Sequence, residues 1–121
     1  MEYTKKSNNV ATVKFINLTP HAINFNDGRV IPAIVSNPKE AARVEARFSE
    51  FDSNGICRQE FGEIINLPEP EDGVKYIVSA LVLSAAKAQG RTDCVAPATG
   101  HPDCKRSEDG KIILSVPGFV E

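Results

Sequence analysis

Three turn signatures divide this chain more firmly than any other feature. Asn26-Asp27-Gly28, Asp52-Ser53-Asn54-Gly55 and Glu108-Asp109-Gly110 each end on a glycine, which accepts the positive φ that a tight turn demands. Each lies between short runs of β-branched and aromatic residues that alternate with period two. Each therefore predicts a β-hairpin. The hairpins pair residues 22–26 with 29–35, 41–51 with 56–65, and 104–107 with 111–116. Pro32 places the first return strand at a sheet edge, because proline has no N–H for a ladder. Gly62 marks a bulge in the second hairpin. Residues 10–17 form a further strand that Thr19-Pro20-His21 breaks. Residues 67–73, Leu-Pro-Glu-Pro-Glu-Asp-Gly, form a rigid, extended, acidic loop.

One segment reads as a helix. Tyr76-Ile77-Val78 forms a short strand, Ser79 is an N-cap, residues 80–88 are rich in Ala and Leu, and Gly90 stands at the C′ position. Its residues are apolar nearly all round, which predicts a well-buried helix. A strand over 91–97 follows, with Cys94 and Ala96 on one face. The fold class expected is α+β: a mostly antiparallel sheet of hairpins with one central buried helix at about 79–89. Residues 1–9 are polar and aperiodic and read as a disordered tail. Residues 10–121 read as a single domain.

Composition narrows the function. The 121 residues are 41% hydrophobic and 25% charged, as in ordinary soluble domains, and the formal net charge is −2. That balance argues against a DNA- or RNA-polymer binder, which is normally strongly basic. No apolar run approaches the roughly 18 residues that span a bilayer, and Met1–Val10 has no apolar core of a secretory signal. A cytoplasmic protein with reduced thiols is expected. Cys57, Cys94 and Cys104 are odd in number and do not suggest a disulfide framework.

No nucleophile elbow, phosphate loop, HExxH or GxGxxG occurs. Cys94, His101 and Cys104 have the spacing C-x6-H-x2-C, and Asp93, Asp103 or His21 would complete four zinc ligands. There is no paired CxxC, so reduced cysteines and a loop histidine are the preferred reading and no metal is assigned. His21 stands at a strand break, where it would act as a general base or as a hydrogen-bonding turn residue. The arginines Arg43, Arg58, Arg91 and Arg106 lie at element ends amid apolar stretches. Such guanidinium groups grip phosphates, with Asp93 and Ser79 reading ribose hydroxyls and Phe61 or Tyr76 stacking a base. The competing reading is ordinary surface ion pairing, Arg91 with Asp93 and Arg58 with Glu60.

Asn17-Leu18-Thr19-Pro20-His21-Ala22-Ile23 is similar to the opening of a family of small phage, prophage and bacterial proteins. The similarity continues at Ala42-Arg43-Val44, Phe61-Gly62-Glu63, Leu67-Pro68-Glu69-Pro70, Tyr76-Ile77-Val78-Ser79 and Arg91-Thr92-Asp93 with Ala96-Pro97. It closes at Arg106 before Asp109-Gly110-Lys111-Ile112. Cys94 and Cys104 depart from that pattern, which counts against zinc. In size, phage context and arginine-rich element ends the chain also resembles the Thoeris anti-defence family, which traps cyclic ADP-ribose isomers. The resemblance implies a non-enzymatic sponge: a homo-oligomer without cofactor that sequesters a small nucleotide signal, of cyclic ADP-ribose or cyclic oligonucleotide type. Its candidate ligand-binding residues are His21, Arg43, Arg58, Phe61, Tyr76, Ser79, Arg91, Asp93 and Arg106. The alternatives are an accessory protein that binds a host protein, and a small nucleotide-degrading enzyme using His21.

Overall fold

A computed structural model of the protein describes residues 13–121. The expected break between tail and domain at residues 9 and 10 lies outside the described residues. In chain order the elements are β1 (Lys14–Asn17), β2 (Ile23–Asn24), β3 (Val30–Ile31), a 3₁₀ turn (Pro38–Glu40), β4 (Arg43–Phe48), β5 (Gln59–Ile65), β6 (Val74–Ile77), α1 (Ala80–Ala88), β7 (Cys94–Pro97), β8 (Lys105–Arg106), β9 (Ile113–Ser115) and β10 (Phe119–Val120). The chain is α+β, with many short strands and one α-helix among the described residues.

The three predicted hairpins form, β2–β3, β4–β5 and β8–β9, all antiparallel. Their turns use the expected chemistry. Gly28, Gly55 and Gly110 have φ of 96°, 76° and 75°, and Asp52 accepts from the backbone N–H of Asn54 and Ile56 at 2.8 and 3.0 Å. The β4–β5 register slips between Val44 and Ala46, opposite Ile64 and Phe61, which is the bulge expected at Gly62.

The largest sheet departs from expectation. Its order is β1-β6-β7-β10, and only β7–β10 is antiparallel; β1–β6 and β6–β7 are parallel. Helix α1 is the crossover between β6 and β7, since parallel neighbours cannot be joined by a tight turn. β6 and β7 are buried on both faces, as parallel strands under a helix are. Tyr76, Val78, Cys94 and Ala96 face one core with Val82, Leu83 and Ala86 of the helix. Ile77 and Val95 face a second core with Ile23, Phe25 and Val116.

Helix α1 forms where predicted. Ser79 caps it, accepting from the Val82 N–H at 3.2 Å, and Gly90 follows with φ 85°. All-round burial does not occur. The helix buries Val82, Leu83 and Ala86, while Leu81 is 48% exposed. The sheet covers one side only, and an apolar composition does not supply a second covering layer.

The loop after β1 is tied by a buried polar side chain. Asn17 is 1% exposed. Its Nδ2 donates to the carbonyls of His21 (2.8 Å) and Pro32 (3.4 Å). Its Oδ1 accepts from the N–H (3.0 Å) and hydroxyl (2.6 Å) of Thr19. The Asn-Leu-Thr-Pro-His segment is thus a structural knot. Asn66, in the left-handed region at φ 67°, donates to the carbonyls of Lys39 and Ala41 and anchors the end of β5 to the start of β4.

Candidate functional site

The structure does not gather the predicted site residues into one pocket. Tyr76 is 2% exposed and its hydroxyl donates to the Glu69 carbonyl at 3.0 Å. Its ring is part of the core, so the expectation that it stacks an external base is corrected. It lies on a parallel strand covered by the helix, where period-two logic cannot tell an inward from an outward face. Ser79 spends its hydroxyl on the helix cap.

Arg91 and Asp93 form the ion pair that the sequence offered as the plainer reading. Nε and Nη2 of Arg91 donate to the two carboxylate oxygens at 2.9 and 2.8 Å, and Nη2 also donates to the Pro68 carbonyl at 2.8 Å. The two side chains are 20% and 14% exposed, so this two-pronged pair is better sheltered than a typical surface bridge. It pins the acidic loop to the end of α1 and is committed to the fold. The Arg91 hydrogen bonds hold the Asp93 carboxyl below its ordinary range, against the opposing effect of burial. A depressed folded-state pKa adds stability above the unfolded value near pH 4, and that stability is lost as the pH falls through the depressed value. Asp93→Asn should therefore melt below wild type at pH 6, and the gap should close as both are taken toward pH 2. A gap constant across that range would mean that the pair contributes nothing through its charge.

Arg106 donates from Nη2 to the Thr99 carbonyl at 2.6 Å and from Nη1 to the Gly110 carbonyl at 3.4 Å, lacing two loops together. His21 is exposed; its main-chain carbonyl accepts from Asn17 and Thr19, and no described residue hydrogen-bonds its ring. The zinc grouping is not assembled. Cys94 is buried, Cys57 and Cys104 are half-buried, and His101 Nδ1 accepts from the Asp103 N–H at 3.0 Å. Among the described residues no three His, Cys, Asp or Glu side chains converge as metal ligands. Burial, with Asp93 nearby, pushes the Cys94 thiol above its ordinary pKa, which makes it a poor nucleophile.

Arg43, Arg58 and Phe61 share one element, the β4–β5 arm. Arg43 pairs with Ile65 at its root, and Arg58 precedes Gln59 at its far end, opposite Phe48. At 3.3 Å per residue the two arginines are roughly 20 Å apart along the arm, too far for one phosphate. Neither hydrogen-bonds through its side chain to a described residue, and the expected Arg58–Glu60 ion pair does not form among them.

The arm has a feature that sequence reasoning missed. Apolar side chains recur along its length. At the root Val44 and Ile64 pack on the core. Ala46 and Phe61 come next, with Phe61 beside Leu81, Ala85 and Ala88 of α1 around a groove of about 380 Å³. Farther out, Phe48 at the end of β4 and Phe51 and Ile56 beside the turn are 65%, 72% and 61% exposed. Scattered single apolar residues on a surface need no explanation, but three large ones gathered toward one hairpin tip do. The signal was present in the sequence: phenylalanine or isoleucine on both sides of the Asp52–Gly55 turn, where polar residues normally suffice.

The chain was compared with family models, curated proteins and solved structures, and none matches it.

Proposed function

We propose that this chain is a non-enzymatic binding protein that works in the cytosol as a homo-oligomer and sequesters a small nucleotide. The observation that carries the reading is the β4–β5 arm. It holds large exposed apolar side chains, Phe48, Phe51, Ile56 and Phe61, together with Arg43 and Arg58, whose guanidinium groups no described residue occupies. Packing these apolar side chains against a second copy would bring arginines of two chains toward one ligand, which a single arm spaced this way cannot do. In the role that its resemblance implies, such a phage-encoded protein removes a nucleotide immune signal, and that role needs affinity without turnover. The enzymatic alternative is less favoured, because His21 contributes its backbone to the loop knot and its ring has no described partner to orient it.

A thermal-shift screen against cyclic dinucleotides, cyclic trinucleotides, ADP-ribose, its cyclic isomers and NAD tests this reading. Ligand at 100 times its Kd adds about 2.7 kcal/mol, which moves the melting point by several degrees in a domain near this size. A shift with one class, and that nucleotide recovered intact after heating, is the expected result. A product recovered in its place would establish the enzyme. A flat panel with a self-associating protein would leave only the protein-binding accessory.

A further inference from the structure

On the face of the main sheet away from α1, three phenylalanines from three strand regions meet. The Phe15 and Phe119 rings stack with centroids 5.0 Å apart and planes at 30°. Phe25 meets Phe119 edge-on at 5.4 Å. Phe15 is on β1 and Phe119 on β10, the two outer strands, so their side chains lean together over the sheet. These rings, with Arg29, Val30 and Gly118, line a cleft of about 480 Å³. Phe15 is 39% exposed and Val30 54%. A Cβ built on Gly118 would meet nothing within 4 Å, so that side of the cleft is open.

Among the described residues Arg29 is the only charged one in this lining, and it is held in place. Its Nε donates to Asp27 Oδ2 at 2.7 Å, and its guanidinium carbon lies 4.8 Å from the Phe25 ring centroid. Asp27 is in turn oriented by accepting from the Arg29 N–H at 3.0 Å through Oδ1. The Asp27-Gly28 hairpin turn therefore sets the arginine on the aromatic wall. Nη1 and Nη2 make no hydrogen bond to a described residue. An arginine stacked on a ring, fixed through Nε and offering both terminal nitrogens, is the fork that binds a phosphate. Aromatic faces beside it take a base by stacking, which tolerates any base. The volume lies within the range of small-molecule sites.

We infer that this cleft takes the nucleoside monophosphate unit of a nucleotide, with its base against Phe15 and Phe119 and its phosphate on Arg29. The assignment rests on the nucleotide reading above and moves its stacking site from Phe61 and Tyr76 to residues on the opposite face of the sheet. A larger signal with two phosphates would place one unit here and leave the other to a neighbouring chain.

The test is calorimetric titration of AMP into the wild type and into Arg29→Gln, Phe15→Ala and Arg58→Ala. Adenosine and inorganic phosphate are titrated separately into the wild type. Arg29 is exposed, so Arg29→Gln should fold normally; a melting curve checks Phe15→Ala. The expected result is AMP binding weakened at least 10-fold by Arg29→Gln and by Phe15→Ala, each more than by Arg58→Ala, with adenosine and phosphate alone each weaker than AMP. If Arg58→Ala weakens AMP and Arg29→Gln does not, the cleft assignment falls while nucleotide sequestration stands. If neither AMP nor any nucleotide of the thermal-shift panel binds the wild type, both fall.

Discussion

Asn17→Ala should lower the stability of this protein by about 3 kcal/mol, although it removes only a small polar side chain. Asn17 makes four hydrogen bonds, as donor to the His21 and Pro32 carbonyls and as acceptor from the Thr19 N–H and hydroxyl. At 1% exposure, water cannot replace them. Truncation leaves buried donors and acceptors unsatisfied, at about 1–3 kcal/mol for each that finds no new partner. At several degrees per kcal/mol for a domain near this size, the melting point should fall by about 10–15 °C. Thermal unfolding of the purified variant at neutral pH measures it. A fall under about 3 °C would show that the loop is held by other contacts. His21→Ala should be nearly silent in the same assay, because His21 enters the knot through its backbone carbonyl, which alanine keeps.

The second large effect falls on association and leaves the fold intact. Replacing Phe48, Phe51 and Ile56 together by serine should weaken self-association at least 100-fold. At roughly 200 Å² for a whole phenylalanine, the exposed parts of these three residues with Phe61 and Leu81 offer about 600 Å² per copy, so two copies reach the lower end of a specific interface. Buried aromatic anchors commonly contribute 2 kcal/mol or more each to such a contact. The three residues lie beyond the point where the arm leaves the core, so the folded monomer should lose little; exposed substitutions usually stay within about 0.5 kcal/mol. Sedimentation velocity over a concentration series separates the outcomes. The wild type should sediment as an oligomer and the triple variant as a folded monomer. Identical sedimentation of the two would remove the arm from the interface.

The two variants divide the molecule. Asn17 begins the Asn-Leu-Thr-Pro-His segment, and its bonds are all spent on the fold. The Asn-Leu-Thr-Pro-His segment draws attention to His21 in the sequence, while the structure uses the His21 carbonyl and not the imidazole. Arg91 and Asp93 repeat the lesson. The sequence offered the pair as a site for phosphate and ribose, and the structure shows Arg91 gripping Asp93 and the Pro68 carbonyl. Arg29, whose terminal nitrogens are left uncommitted, attracts no notice in the sequence, because an exposed arginine next to a turn is commonplace.

Turn chemistry and alternation decided on their own where the hairpins, the helix cap and the bulge fall. These are local matters: a glycine at positive φ, a serine oxygen within reach of the N–H three residues on, side chains that point to opposite faces in succession. The strand order was beyond local reasoning. β1 lies beside β6, with Lys14 opposite Val74, and β10 closes the far edge against β7. Such pairings join residues far apart in the chain, and nothing in either strand alone names its partner. A hint of the parallel centre does exist in the unbroken apolar runs Tyr76-Ile77-Val78 and Cys94-Val95-Ala96, which suit strands covered on both faces. Burial of Tyr76, exposure of one side of α1, dispersal of the four arginines and assembly of Phe15, Phe25 and Phe119 with Arg29 all follow from that order. They are products of tertiary packing, since which face of an element meets water depends on what lies against it.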